Sequence, residues 1–141
     1  MAQEDQATGI VLFAHGSSVE EANVGVRELA KQVQALGPYG YVCAAFLELA
    51  HPDLAEAVTQ AAKAGLRRVI VIPYFLTVGI HLRRDLPSLI APQKQKYPDL
   101  MIEVSQSLEG HPLMASIILE RAQEVACLKK ERSTSEKLGM Q

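Results

Sequence analysis

The chain has little of several features that mark particular classes of protein. Its 141 residues include two cysteines, Cys43 and Cys127, which lie far apart and form no CxxC pair. The formal net charge of −2 leaves no basic stripe of the kind that binds nucleic acid. No apolar run approaches the roughly 20 residues of a membrane-spanning helix. The first residues are acidic and polar, so we expect no signal peptide and a reduced, cytoplasmic protein.

The composition is that of one globular domain. A hydrophobic fraction of 48% and a charged fraction of 21% are ordinary for such a protein. A chain of this length is expected to bury a single core. We predict a flexible N-terminus over 1–8, one domain over 9–130, and a polar, disordered tail over 131–141.

Four strand-like runs alternate with four helix-like segments. The predicted strands are 9–14, 41–47, 68–73 and 101–105, and the predicted helices are 20–36, 52–64, 84–96 and 112–130. The first run, GIVLFA, is apolar without alternation, which is typical of a strand covered on both faces. The order predicts an α/β fold with a four-stranded parallel sheet and helices on both faces. Pro87 and Pro92 predict an irregular third helix.

All four histidines follow a predicted strand. They are His15, His51, His81 and His111. Ligands of open parallel sheets bind at the edge where the strands end. Imidazole takes up protons near neutral pH and binds divalent metals. The placement therefore indicates a site that handles metal ions or protons.

His15 comes directly after the first strand and is followed by Gly16, Ser17 and Ser18. Glycine allows a sharp turn toward helix N–H groups, and either serine could cap the next helix. A hydrogen bond across the loop is an alternative role for His15. A histidine phosphatase would need Arg where this chain has Ala14, and the GxSxG elbow of serine hydrolases is absent.

The segment after the third strand is mainly apolar, although it should be open to a ligand. Its residues Leu76, Thr77, Val78, Gly79 and Ile80 fit the wall of a flat hydrophobic pocket. We expect Gly79 to bend the chain so that the imidazole of the following His81 points inward. The alternative is an irregular core connection with His81 as an interior hydrogen-bond donor.

Glu48 ends the second strand among apolar neighbours, where a carboxylate needs a partner. It could accept protons, bind metal or cap a helix. His51 and His111 each precede a proline at a predicted helix start. We expect positional or capping roles for these two histidines.

Three motifs occur in order along the chain: HGS at 15–17, FLE-x-x-x-P at 46–52, and P-x-F-L-x-x-G-x-H-x-x-x-D-L-P at 73–87. Together they resemble the sirohydrochlorin chelatases, which are class II chelatases that insert a divalent metal into a tetrapyrrole without ATP. The likeness extends from about residue 9 to residue 121 and includes LEGHP at 108–112. The length resembles the short form of the family, which implies a homodimer and a chelatase-like fold with flavodoxin-like layering.

The resemblance also implies roles for individual residues. His15 and His81 would bind the incoming metal, and His15 would accept a proton, with Glu48 as a third catalytic residue. Glu48, Ser17 and the stretch from Leu76 to His81 would bind the tetrapyrrole.

The remaining implications concern the substrates. Ser17 or Arg84 would meet the macrocycle's carboxylates at the rim, although the chain has no obvious basic cluster. No cofactor is implied beyond the metal substrate, Co²⁺ or Fe²⁺, in cobalamin or siroheme biosynthesis. Nickel insertion, a non-catalytic metal or tetrapyrrole carrier, and a plain interaction domain are the alternatives.

Overall fold

The computed structural model of the protein describes residues 2–139, and these form four β-strands and five α-helices. In chain order the elements are α1 (Ala2–Gln6), β1 (Thr8–Ala14), α2 (Glu20–Leu36), β2 (Tyr41–Phe46), α3 (Leu54–Lys63), β3 (Arg68–Pro73), α4 (Ile80–Lys96), β4 (Met101–Val104) and α5 (Leu113–Gly139). The chain divides into two compact units, Met1–Glu109 and Gly110–Gln141. The first unit holds the sheet and α1–α4, and the second holds α5. Within the described range, none of the helices combines the length and the apolar character needed to cross a membrane.

The four strands run parallel in the order β2-β1-β3-β4. Phe13 of the central strand β1 is level with Ala45 of β2 and with Pro73 of β3. Because parallel strands end at the same edge of a sheet, the segments after β1, β2 and β3 leave it side by side. The predicted four-stranded parallel sheet is confirmed.

Strand β1 is buried on both faces, which explains its unbroken apolar sequence. On one face, Val11 and Phe13 pack with residues of α3 and α4 in the larger core. On the other face, Ile10 and Leu12 pack with Ala30 of α2. Helices therefore lie on both faces of the sheet, as predicted.

Helix α4 begins at Ile80 rather than at residue 84, and it continues through Pro87 and Pro92 without a break. A proline inside a helix removes a backbone hydrogen bond and costs about 3 kcal/mol. Leu86 and Ile90 of the same helix are buried in the larger core. Burial of each such side chain contributes about 1.5–3 kcal/mol, which offsets much of that cost. Helix α4 is thus continuous because of tertiary packing, although its local sequence alone predicts an irregular helix.

Both ends of the described chain form regular structure where flexible segments were expected. At the N-terminus, Gly40 N–H donates to the Asp5 carbonyl at 3.1 Å, and Gln6 Nε2 donates to the Pro38 carbonyl at 3.1 Å. These bonds tie α1 to the turn before β2, so the flexible N-terminus expected over 1–8 is not observed from residue 2 onward. Helix α5 extends through residue 139 and includes most of the expected disordered tail. Residues 1, 140 and 141 lie outside the described range.

Candidate functional site

Backbone hydrogen bonds join the loops that follow β1 and β2. Leu47 N–H donates to the Ala14 carbonyl at 2.9 Å, and Glu48 N–H donates to the His15 carbonyl at 3.1 Å. These bonds continue the parallel pairing past the ends of both strands. They set two side chains next to each other: His15 Nε2 lies 3.0 Å from Glu48 Oε1.

This His15–Glu48 pair is open to solvent at the carboxyl edge of the sheet. The side chains of His15 and Glu48 are 61% and 55% exposed, respectively. Glu48 thus has the partner that its sequence context called for, without being buried. Imidazole nitrogens and carboxylate oxygens both accept protons and bind divalent metals. The pair can therefore take a proton from a ligand and exchange it with solvent, or offer two donor atoms to a metal.

Gly16 allows the two loops to approach this closely. Its φ of +91° lies in the left-handed region, which glycine adopts without steric cost. A Cβ at this position would lie 1.8 Å from the Glu48 carbonyl oxygen. The sharp turn predicted after His15 is confirmed, and the neighbouring loop explains why it requires glycine.

Asn23 of α2 fixes the loop after β1 and was not identified from the sequence. Its side chain is buried; Oδ1 accepts from Ser17 N–H at 2.9 Å, and Nδ2 donates to the Ser17 carbonyl at 2.8 Å. One signal was available, because Asn23 lies three residues before Val26 on the inner face of the helix, where a polar residue is unusual.

The predicted serine cap of α2 is wrong. The N-cap residue is Val19, which makes no side-chain cap. The Ser17 hydroxyl accepts a hydrogen bond from Val19 N–H at 3.0 Å and so closes a turn just before the helix. Ser18 also does not occupy the cap position, because the chain makes this turn before the helix begins.

Arg27 of α2 holds the loop that follows β2. Its guanidinium lies over the Phe46 ring at 5.2 Å, and its Nη2 donates to the His51 carbonyl at 3.1 Å. Its Nη1 pairs with Glu20, and hydrogen bonds from Arg27 and Asn23 keep the pKa of Glu20 below its ordinary value. The arginine thereby links both ends of this loop to α2, a role that no sequence motif indicated.

The loop after β3 lies beside the loop that carries His15. Tyr74 N–H donates to the Phe13 carbonyl at 2.8 Å, which extends the pairing of β1 and β3. Leu76, Thr77 and Ile80 are exposed. The mainly apolar segment therefore faces solvent at the carboxyl edge, where the sequence predicted the wall of a pocket.

His81 is an exposed residue in the first turn of α4, so it is not an interior donor. Gly79 is the N-cap of this helix with a φ of −67°, which other residues adopt equally well. The prediction that Gly79 bends the chain to direct His81 inward is therefore wrong. Among residues 2–139, no three His, Cys, Asp or Glu side chains are close enough to hold a metal ion. The structure thus brings His15 to Glu48 but does not bring His81 into a common cluster with them.

The other two histidines make contacts of the predicted kind. His51 Nδ1 lies 3.0 Å from Glu56 Oε1 at the start of α3. His111 Nδ1 accepts from Leu113 N–H at 3.1 Å at the start of α5. Arg84, predicted as a rim donor, is exposed on α4.

Comparison with known proteins gives the family of this chain. The family model named CbiX matches residues 9–125, a range that includes β2, β3, β4, all of β1 after Thr8, and every predicted site residue. The chain belongs to the CbiX family. The resemblance to sirohydrochlorin chelatases that rested on three motifs is thereby confirmed.

Relatives of this CbiX-family chain carry chelatase names. It is 32% identical over 117 residues to the chloroplastic sirohydrochlorin ferrochelatase of Arabidopsis thaliana, which covers 83% of this chain and 52% of the relative. It is 27% identical over 125 residues to the sirohydrochlorin cobaltochelatase of Methanococcoides burtonii, which covers 83% of this chain and 95% of the relative. The chain therefore spans about half the length of the plant relative.

A solved structure of similar size has the same fold. It is a CbiX protein from Marinobacter aquaeolei VT8, named for cobalamin (vitamin B12) biosynthesis. The TM-score is 0.74 at 28% identity, with 84% of this chain and 97% of that one covered. The α/β architecture of the sheet-bearing unit is thus the architecture of a known CbiX protein.

Proposed function

We propose that this chain is a sirohydrochlorin chelatase that inserts Co²⁺ or Fe²⁺ into sirohydrochlorin without ATP, in cobalamin or siroheme biosynthesis. The observation that carries the proposal is the His15–Glu48 pair at the carboxyl edge of the sheet. The names of the relatives support the choice of macrocycle, because the ferrochelatase and the cobaltochelatase are both named for sirohydrochlorin. The metal is a substrate in this proposal, and no resident cofactor is required.

Metal insertion exchanges two pyrrole N–H protons of the macrocycle for one divalent ion. In the proposed reaction His15 accepts a pyrrole proton, and Glu48, 3.0 Å away, stabilises the imidazolium that results. Because both side chains are half-exposed, this proton then passes to solvent, and the pair is reset to accept the second pyrrole proton in the same way.

Before this proton transfer, His15 binds the incoming metal with His81 as a second ligand, and its lone pair becomes free for a proton once the ion has passed to the unprotonated ring nitrogens. The adjacency of β1 and β3 and the Tyr74–Phe13 hydrogen bond support this assignment, since the loop that carries His15 and the loop that leads to His81 are neighbours. A site with only two or three protein ligands leaves coordination positions open for the ring nitrogens. The ion is therefore held loosely enough to be released into the macrocycle.

The tetrapyrrole lies against the exposed apolar segment Leu76–His81 in this proposal, where its flat face is removed from water. Ser17 serves as a rim donor: its oxygen already accepts from Val19 N–H, which leaves the hydroxyl proton to donate to a substrate carboxylate. Glu48 faces the ring nitrogens.

We further propose that the chain acts as a homodimer in the cytoplasm. Support for the dimer is the length relation, because this chain spans about half of the plant relative. The two free cysteines agree with a reducing compartment. Light scattering tests the dimer: a species of twice the 15.4 kDa chain mass is expected, and a monomer at working concentration contradicts it.

An absorbance assay of metal insertion tests the activity. Metal-free sirohydrochlorin is mixed with Co²⁺, Fe²⁺ or Ni²⁺ separately, with and without protein. We expect His15→Ala and Glu48→Gln to lower the protein-dependent rate by roughly a hundredfold, the usual contribution of a positioned proton acceptor. His81→Ala is expected to raise the metal concentration needed for half-maximal rate.

The second His–Glu pair supplies matched controls. His51 and Glu56 are also 3.0 Å apart, so His51→Ala and Glu56→Gln remove the same chemical groups from residues that are not assigned to the site. Both variants should insert metal at the wild-type rate. A spectral shift on binding without faster insertion would identify a carrier, and faster insertion of Ni²⁺ alone would reassign the metal. If His15→Ala and Glu48→Gln both insert metal at the wild-type rate, the catalytic roles proposed for His15 and Glu48 are wrong.

A further inference from the structure

A groove of about 1040 Å³ runs between α4 and the edge strand β4 in the sheet-bearing unit. Its lining includes five apolar side chains: Leu82, Leu86, Ile90, Ile102 and Val104. It reaches the loop after β3 at Val78, which places it beside the apolar wall proposed for the tetrapyrrole. A cavity of this size is at the upper limit of small-molecule sites, which typically measure about 300–1,000 Å³.

Two cations of α4 line this groove, Arg83 and Lys94. They are eleven residues apart, which is close to three helical turns, so they lie on one face of the helix about 16 Å from each other. Arg84, the neighbouring residue, does not line the groove. The sequence shows no basic cluster, but the helix thus places two basic side chains along one groove.

The two acidic residues of the groove leave these cations largely available. Glu103 is bound by Arg68 through Nε at 2.7 Å and Nη2 at 3.2 Å, and those hydrogen bonds are the main reason that its pKa is lowered. Lys94 acts on Glu103 only as a weaker, charge–charge influence. The partner of Glu103 is therefore Arg68 rather than a groove cation.

Glu109 has a different arrangement at the end of the groove nearest the loop. Its Oε2 accepts from Val78 N–H at 3.2 Å and lies 3.6 Å from Arg83 Nη2. The second distance is long for an ion pair, and the Arg83 side chain is 70% exposed. Such a pair contributes about 1 kcal/mol or less, so another carboxylate can replace Glu109 on the guanidinium.

We propose that the groove between α4 and β4 holds the carboxylate-bearing rim of the tetrapyrrole, with Arg83 and Lys94 as its cationic contacts. Arg83 leaves Glu109 to bind a substrate carboxylate, for which its planar guanidinium is suited. Lys94 binds a second carboxylate further along the groove. Glu109 keeps its bond to Val78 N–H and so continues to hold the loop. This inference rests on the proposed function, since it assigns contacts for that substrate.

The test is the dissociation constant of metal-free sirohydrochlorin, measured by absorbance titration of the full chain at low salt. We expect Arg83→Gln and Lys94→Gln each to weaken binding about two- to fivefold, the range for an exposed charge pair. Glu109→Gln should instead tighten binding by a similar factor. The amide oxygen still accepts from Val78 N–H, while the competing charge is gone. Added salt should weaken wild-type binding more than binding by the Arg83→Gln/Lys94→Gln double variant.

Lys96→Gln is the matched control, because it makes the same charge change on the same helix outside the groove lining. Its affinity should equal that of the wild type. Weaker binding by Glu109→Gln would show that Glu109 supports the site without competing for Arg83, and would overturn the proposal. A larger loss in Arg84→Gln than in Arg83→Gln would also overturn it. If the wild type binds no sirohydrochlorin at all, the proposed function fails. If the wild type binds it and Arg83→Gln and Lys94→Gln bind it equally well, only the proposal for the groove is rejected.

Discussion

The substitution Gly16→Ala tests the geometry of the site most severely. The new Cβ would lie 1.8 Å from the Glu48 carbonyl oxygen and 3.0 Å from the Glu48 carbonyl carbon. Both are backbone atoms, so no side chain can turn away to relieve the contact. The φ of +91° is in addition unfavourable for alanine. The variant must therefore move one of the two loops, and either movement separates His15 from Glu48.

The expected loss of stability combines two contributions. A non-glycine residue held in a sparsely populated backbone conformation costs about 1–3 kcal/mol. Displacement of the second loop adds to this cost, because it strains the Glu48 N–H to His15 carbonyl bond, worth about 1 kcal/mol. We therefore expect a loss of about 2–4 kcal/mol. With a urea dependence of about 2 kcal/mol per molar, the unfolding midpoint should fall by about 1–2 M.

Urea unfolding of the metal-free protein, followed by circular dichroism, measures this shift. The control is Gly25→Ala, since Gly25 lies inside α2 and a Cβ there meets nothing within 4 Å. Alanine is favoured over glycine inside a helix by about 0.5–1 kcal/mol, so the control should unfold at a higher urea concentration. A Gly16→Ala midpoint equal to that of the wild type would refute the account of the turn.

Three further predictions concern other parts of the chain. Asn23→Ala should lower the free energy of unfolding by about 1–3 kcal/mol, measured in urea, because two backbone groups of the loop after β1 lose their buried partner. Iodoacetamide should modify Cys127, which is exposed, well before Cys43, since burial raises the pKa of the Cys43 thiol; mass spectrometry of timed samples decides the order. The hydrogen bonds from Arg68 lower the pKa of Glu103, so this pair stabilises the fold above the ordinary carboxyl pKa of about 4.3 and loses that effect as the pH falls. The stability difference between wild type and Glu103→Gln should therefore shrink in acid, and a difference that grows there would contradict the assignment.

The fold was largely predictable because each strand is an apolar run and each crossover carries helical spacing. The bounds of α2 and β3 agree with the prediction at both ends. Helix α4 was predicted to be irregular because local sequence weighs Pro87 and Pro92 but not the burial of Leu86 and Ile90. The N-terminal helix α1 was missed for a similar reason, since hydrogen bonds to the distant turn at Pro38 and Gly40 stabilise it.

The reactive residues of the site were predictable from the sequence, but the residues that hold its loops in place were not. His15 and Glu48 could be identified because each is a reactive side chain at the end of an apolar strand. Asn23 and Arg27 could not, because they act through hydrogen bonds to backbone atoms of loops that only the folded sheet brings near. The basic residues of the groove were missed for a related reason. Arg83 and Lys94 are far apart in sequence, and only the helix places both side chains along the same groove.

The most direct measurement for the whole account is anomalous diffraction at the cobalt edge from crystals soaked in Co²⁺. We predict a peak at coordination distance from a ring nitrogen of His15, with His81 as the second ligand. The same peak should be absent from crystals of His15→Ala. A cobalt ion found at His51 and Glu56, with none at His15, would contradict the central assignment.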